Sequence, residues 1–121
     1  RAALESIVYQ ITDLVESMTS EAGICLKELR VDGGPTKNRF LMQFQSDLLG
    51  VPVVRSETED ASAYGAFVMN GFARKKWQTF EDAAAIRVSD APVVPGNVRV
   101  AAKQAYLGWR EAVEELIRSK K

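Results

Sequence analysis

The feature that most constrains the fold is a pair of short strand-like segments separated by one helix-length segment. Residues 28–32 alternate apolar and polar side chains, and residues 51–55 are rich in valine. Residues 36–49 between them carry apolar side chains at helical spacing, at Phe40, Leu41, Phe44 and Leu48. Two strands joined through a helix run parallel, with a right-handed crossover. The sequence therefore predicts a parallel β–α–β unit.

Further helices are predicted on both sides of this unit. Residues 4–18 repeat apolar side chains at three- and four-residue steps, and Gly23 is a suitable helix end. A helix rich in small residues is predicted at 61–73, where the small side chains indicate close packing on another backbone. A capping signal predicts a short helix at 79–86. A loop with two prolines then leads to a last helix, whose apolar period covers 98–117.

A parallel sheet of two strands is narrower than the sheets that domains usually contain, and parallel sheets are normally covered on both faces. The chain also opens with Arg1 inside a helical pattern. We therefore expect either that a longer protein supplies further strands or that two copies complete each other, as a homo-oligomer. Exposed strand edges and an uncovered helix face predict self-association.

Composition narrows the possible functions. Sixteen basic and sixteen acidic residues cancel, so no net charge attracts the chain to nucleic acid or to a membrane surface. The chain has no histidine and one cysteine, Cys25, which excludes a zinc site of the usual kind and a histidine-based catalytic triad. We accordingly predict no metal-ligand residues. One unpaired cysteine and no membrane-length apolar run fit a cytoplasmic protein.

The stretch RVDGGPTKN at 30–38 brings two glycines from the end of a strand to the start of a helix. Glycine lets a ligand approach the backbone closely, and the first amides of a helix can bind phosphate. Gly33, Gly34 and Asn38 are therefore candidate nucleotide-binding residues. The spacing matches neither the phosphate loop ending in GK[ST] nor GxGxxG. From the pattern alone, a purely structural turn stays open.

A longer stretch, VDGGPTKNRFLMQFQSDLLGVPV at 31–53, resembles the FGGY family of carbohydrate kinases, in which DGG is followed by asparagine and then LMQFQAD. RAALESI at 1–7 and TEDASAYGA at 58–66 are similar to the same family. The resemblance is dense over residues 1–73 and thin afterwards. Two departures are Pro35, where many relatives have glycine or alanine, and the basic residues at 74–76, which we interpret as a solvated helix end.

The resemblance implies an α/β structure, part of the ribonuclease-H-like fold of actin-like ATPases, with a short parallel sheet flanked by helices. Residues 1–121 would form the C-terminal part of the second, ATP-binding domain. In the family's pattern Gly34 contacts a nucleotide phosphate, Asn38 lies by the adenosine and Gly33 shapes the turn. The catalytic aspartate and most sugar contacts of the family precede the position of Arg1, so no catalytic residue is predicted in this chain.

The implied function is that of an ATP- and Mg²⁺-dependent sugar or polyol kinase, to which this chain contributes the adenosine- and phosphate-binding wall of the cleft. A xylulokinase-like enzyme is slightly favoured over a glycerol kinase, and the chain alone is expected to be inactive. The expected partners are ATP and a small sugar or polyol, with no nucleic acid or membrane. Two alternatives stay open: a non-catalytic actin-like module that binds nucleotide or protein, and a freestanding helical interaction domain.

Overall fold

The computed structural model describes residues 1–56, 60–86 and 89–119. Thr58 and Glu59, which belong to one of the stretches that resemble the kinase family, lie outside them. The elements follow one another in this order: α1 (Ala2–Ala22), β1 (Leu29–Val31), a 3₁₀ turn (Gly34–Lys37), α2 (Arg39–Leu49), β2 (Val53–Arg55), α3 (Ala61–Ala73), α4 (Phe80–Ala84) and α5 (Arg99–Ser119).

The predicted parallel β–α–β unit is confirmed. β1 and β2 pair in parallel, with Leu29 opposite Val53. β2 begins after Pro52, which has no N–H to offer a neighbouring strand, although its carbonyl accepts the Leu29 N–H at 2.9 Å. The loop predicted before the last helix also extends the sheet, because Val53 and Val93 exchange two backbone hydrogen bonds of 2.9 Å in antiparallel fashion. We call residues 89–97 the return segment.

The start of α2 differs from the prediction. A helix was expected from about Thr36, directly after the glycines, but α2 begins at Arg39. The Thr36 N–H donates to the Gly33 carbonyl and the Asn38 N–H to the Pro35 carbonyl, at 3.1 and 3.0 Å, which is the three-residue spacing of a 3₁₀ turn. Asn38 then takes an extended conformation, with φ −80° and ψ 103°, and caps α2 with its side chain. Asparagine favours such local bonds over continuing a helix.

The main core lies where α1, α2 and α5 meet. Its buried side chains include Val8, Tyr9, Leu41, Phe44, Leu48, Ala102 and Tyr106. The Tyr9 ring lies 5.8 Å from the rings of Phe44 and Tyr106 and 5.4 Å from that of Trp109. Phe40, predicted to be buried, is 39% exposed and stacks on Phe44 instead. This core anchors α2 and therefore the turn that precedes it.

Several predicted contacts have no partner within the described residues. The small residues Ser62, Ala63, Gly65 and Ala66 of α3 are exposed. One side of α1 is also apolar and exposed, at Ile7, Ile11, Leu14 and Met18.

The basic residues at 74–76 are solvent-exposed, as predicted. None of the helices formed by the described residues has the length and apolar character needed to cross a membrane.

Candidate functional site

The glycine turn lies at the carboxyl end of β1, the edge of a parallel sheet at which ligands usually bind. Gly33 has φ 88° and ψ 174°, a conformation that side chains disfavour. Its carbonyl accepts two hydrogen bonds from Thr36, one from the hydroxyl at 2.7 Å and one from the backbone N–H at 3.1 Å. The turn therefore requires glycine at position 33, and Thr36 closes it.

Gly34 is exposed and begins the 3₁₀ turn. Its backbone N–H donates to no atom of residues 1–56, 60–86 or 89–119. A side-chain carbon added at this position would have no neighbour within 4 Å. The backbone of Gly34 is thus exposed and unobstructed, and the group that it could offer a ligand is a single hydrogen-bond donor.

Asn38 is the N-cap of α2, although the sequence predicted a helix that already included it, at 36–49. Its side-chain oxygen accepts the backbone N–H groups of Phe40 at 3.0 Å and Leu41 at 3.2 Å. Both lone pairs of this oxygen are therefore used. The side-chain nitrogen has no partner in the described part of the chain. Asn38 can therefore offer a ligand hydrogen-bond donors only.

The structure places all three predicted residues on one turn, and it adds a cavity that the sequence did not indicate. This cavity, of about 410 Å³, adjoins the turn between α2 and the return segment. Its lining residues are Thr36, Lys37, Arg39, Met42, Gln43, Arg55, Asp90, Ala91 and Val93. Gly33, Gly34 and Asn38 are not among them. Thr36 and Lys37 belong to both the turn and the cavity lining.

Polar side chains of α2 hold the far wall of this cavity. The amide nitrogen of Gln43 donates to the Val94 carbonyl at 3.0 Å, and the Ser46 hydroxyl donates to the Val93 carbonyl at 3.0 Å. The buried carboxylate of Asp47 accepts the backbone N–H of Gly96 at 2.6 Å. The return segment is therefore fixed to the same helix that Asn38 caps.

An ion pair between Arg55 and Asp90 joins β2 to the return segment in the cavity wall. Arg39 lines the same cavity and forms no ion pair with any described residue. Among residues 1–56, 60–86 and 89–119, no group of three or more histidine, cysteine, aspartate or glutamate side chains is arranged to hold a metal ion. No described residue is therefore assigned to Mg²⁺.

Comparison with known proteins supports the resemblance. Residues 1–74 match the C-terminal domain of the FGGY family of carbohydrate kinases. A glycerol kinase from Geobacillus sp. (strain WCH70) is 43% identical over 114 residues, which are 94% of this chain and 23% of that protein. A glycerol kinase from Xanthomonas campestris is 44% identical over 114 residues, again 94% of this chain and 23% of that protein. The chain thus spans about a quarter of the length of the curated relatives it matches.

Solved structures confirm the predicted fold class. Plasmodium falciparum glycerol kinase with ADP superposes with a TM-score of 0.80 and 36% identity, over 95% of this chain and 23% of that one. Xylulose kinase from Lactobacillus acidophilus gives a TM-score of 0.83 over 98% of this chain and 24% of that one, at 17% identity. From the match over residues 1–74 and the identity to glycerol kinases, the chain belongs to the FGGY family of carbohydrate kinases.

Proposed function

We propose that this chain is the C-terminal part of the ATP-binding domain of a carbohydrate kinase and that it supplies one wall of the nucleotide site. The observation that carries the proposal is the turn after β1, where Gly34 leaves a backbone N–H unpaired and open to approach. The likeness to a glycerol kinase with ADP, at 36% identity, supports a nucleotide as the ligand.

In this proposal each of the three turn residues has one role. The Gly34 N–H donates to a phosphate oxygen of the nucleotide. The side-chain nitrogen of Asn38 donates to an acceptor on the adenosine, because its oxygen is occupied by α2. Gly33 supplies the positive φ that the turn requires. ATP would bring the transferable phosphoryl group, and no residue of this chain is assigned to the chemical step.

We further propose that the phosphoryl acceptor of the whole enzyme is glycerol. The curated relatives at 43% and 44% identity are glycerol kinases. The preference for xylulose drawn from the sequence is not confirmed, because the likeness to a xylulose kinase rests on 17% identity and supports the fold alone. The general base, the sugar contacts and the ligands of Mg²⁺ are assigned to residues outside this chain, so the chain alone is expected to show no kinase activity.

The test is an amide NMR titration of the 121-residue chain with ADP up to millimolar concentration, where a binding free energy of about −4 kcal/mol becomes visible. We expect the largest shifts at Gly34 and Asn38. Gly34→Ala adds a methyl group where no atom beyond its chain neighbours lies within 4 Å, so we expect the fold to be retained while the methyl group crowds a ligand that approaches the amide. This variant is expected to bind ADP roughly tenfold more weakly, equivalent to about 1.4 kcal/mol.

Gly108→Ala is the matched control, since an added side-chain carbon there also has no neighbour within 4 Å and the residue lies on α5, away from the turn. It should bind ADP as the wild type does. If ADP binding saturated without shifting the amide signals of Gly34 or Asn38, the proposed nucleotide wall would be wrong. Equal ADP affinities of Gly34→Ala and Gly108→Ala would do the same.

A further inference from the structure

We propose that Thr36 is a positioning residue that aims the backbone N–H of Gly34 at the ligand. The idea that this N–H meets a phosphate rests on the proposed function. The claim that Thr36 fixes its direction rests on the structure of the turn alone. Thr36 itself lies on the buried side of the turn and is not predicted to touch the nucleotide.

Thr36 donates two hydrogen bonds to the same atom, the carbonyl oxygen of Gly33. Its side chain is buried, at 8% exposure, and its hydroxyl donates to the Gly33 carbonyl oxygen at 2.7 Å. Its backbone N–H donates to the same oxygen at 3.1 Å. A carbonyl oxygen offers two lone pairs, so Thr36 uses both. The direction of the Gly33 carbonyl is therefore set by a buried residue.

That direction also determines where the Gly34 N–H points. The Gly33 carbonyl and the Gly34 N–H belong to one peptide group, which is planar, and the chain contains no cis peptide bond in its described residues. In a trans peptide the two groups point in opposite directions. Since the carbonyl is drawn inward to Thr36, the Gly34 N–H points outward, where the backbone is exposed.

The turn needs such a restraint because glycines flank this peptide group. Glycine populates positive and negative φ about equally, so a Gly–Gly peptide group can rotate more freely than others. Without the hydroxyl bond, the 3.1 Å bond from the Thr36 N–H is the one hydrogen bond to this peptide group that the described residues make. A donor that is already aimed loses less freedom when the ligand binds, which strengthens binding without a new contact. Thr36 would thus raise affinity for a phosphate from behind the site.

The experiment compares the wild type with Thr36→Val, which keeps the branched shape without the hydroxyl, and Thr36→Ser, which keeps the hydroxyl. The first readout needs no ligand: ¹⁵N relaxation dispersion of the Gly34 amide. We expect exchange broadening at Gly34 in Thr36→Val and none in the wild type or Thr36→Ser. The second readout is ADP affinity, expected to fall roughly five- to tenfold in Thr36→Val, about 1–1.4 kcal/mol, and to be restored in Thr36→Ser.

The outcomes separate this inference from the proposed function. If the relaxation dispersion of the Gly34 amide were unchanged in Thr36→Val, the positioning role would be wrong, even if the melting temperature fell. A merely structural role of Thr36 would change stability alone. If the wild type binds no ADP, the proposed function fails, while the ligand-free dispersion still decides the role of Thr36. Should Thr36→Val not fold, Thr36→Ala provides the same comparison. Absence of exchange broadening at the Gly34 amide in that variant would equally overturn the inference.

Discussion

The side-chain oxygen of Asn38 accepts the backbone N–H of Leu41 at 3.2 Å, and that of Phe40 at 3.0 Å. One half of this side chain is thus committed to starting α2, while the amide half is left for a ligand. Aspartate can make the same cap and cannot donate. The cap and the proposed ligand contact of Asn38 can therefore be separated by substitution.

We expect the free energy of unfolding of Asn38→Asp to equal that of the wild type or to be slightly higher. The same variant should bind ADP roughly tenfold more weakly, which corresponds to about 1.4 kcal/mol. Asn38→Ala should lose the cap as well, at a cost of about 1 kcal/mol in the free energy of unfolding. Denaturant unfolding and an NMR titration with ADP measure the two effects. If Asn38→Asp bound ADP as well as the wild type, the donor role of the amide nitrogen would be wrong.

Because Gly33 has a positive φ of 88°, we expect its substitution to affect the free energy of unfolding differently from a substitution at Gly34. Gly33→Ala should lower the free energy of unfolding by about 1–2 kcal/mol, because the new side chain is strained in this conformation. Gly34→Ala meets no neighbour within 4 Å and serves as the control, with unchanged or slightly higher stability. Urea unfolding of the two variants tests this order, and a reversal of it would contradict the turn geometry.

The buried carboxylate of Asp47 predicts a long-range effect on the return segment. It is 1% exposed and accepts hydrogen bonds from the Gly96 N–H at 2.6 Å and from the Gln43 side chain at 2.9 Å. Asp47→Ala should lower the free energy of unfolding by about 2–3 kcal/mol, because two donors lose a charged acceptor. It should also speed hydrogen exchange at Val93, whose N–H pairs with β2.

Asp32→Ala is the control for this prediction, since Asp32 is exposed and its removal leaves α2 intact. It should change stability by less than about 0.5 kcal/mol. Val93 exchanging at the wild-type rate in Asp47→Ala would show that the backbone bonds to β2 hold the return segment without the carboxylate.

Local signals in the sequence predicted most of the elements. The helix end at Gly23, the cap at Thr79 and the helical spacing of α2 each depend on neighbours a few residues away. The structure confirms them, including φ 63° at Gly23 and a reciprocal capping box between Thr79 and Asp82. The two bonds from the backbone N–H groups of Gln78 and Thr79 hold the pKa of Asp82 below its ordinary value.

The features that the sequence missed depend on residues far apart along the chain. Gln43, Ser46 and Asp47 resemble solvent-facing residues of an amphipathic helix, yet they bond backbone groups about fifty positions later. Their partners lie in an extended, proline-containing segment, whose backbone groups need hydrogen bonds from outside it. The 3₁₀ start of the turn was missed for a local reason, because the helical spacing from Phe40 onward concealed the competing cap at Asn38.

The Tyr106 hydroxyl predicts how the stability of the three-helix core depends on pH. It donates to the carboxylates of Asp13 and Glu16 on α1, the latter at 3.2 Å. Burial, and next the bond to Asp13, raise the pKa of Tyr106 above its ordinary value of 10.0. A group whose pKa is raised by folding stabilises the folded state fully below the unfolded value and loses that contribution as the pH rises beyond it.

Tyr106→Phe should therefore be less stable than the wild type by about 1.5 kcal/mol at neutral pH, since a hydrogen bond to a charged group is lost. This difference should stay constant up to the ordinary tyrosine pKa of 10.0 and shrink above it, because the tyrosine of the unfolded wild type then loses its proton while the folded one keeps it, and the phenylalanine variant has no proton to lose. Tyr64→Phe is the control, since the partner of its hydroxyl within the described residues is a backbone carbonyl, at 3.3 Å. Urea unfolding between neutral and alkaline pH measures both, and a stability difference that grew above that value would contradict the assigned direction of the shift.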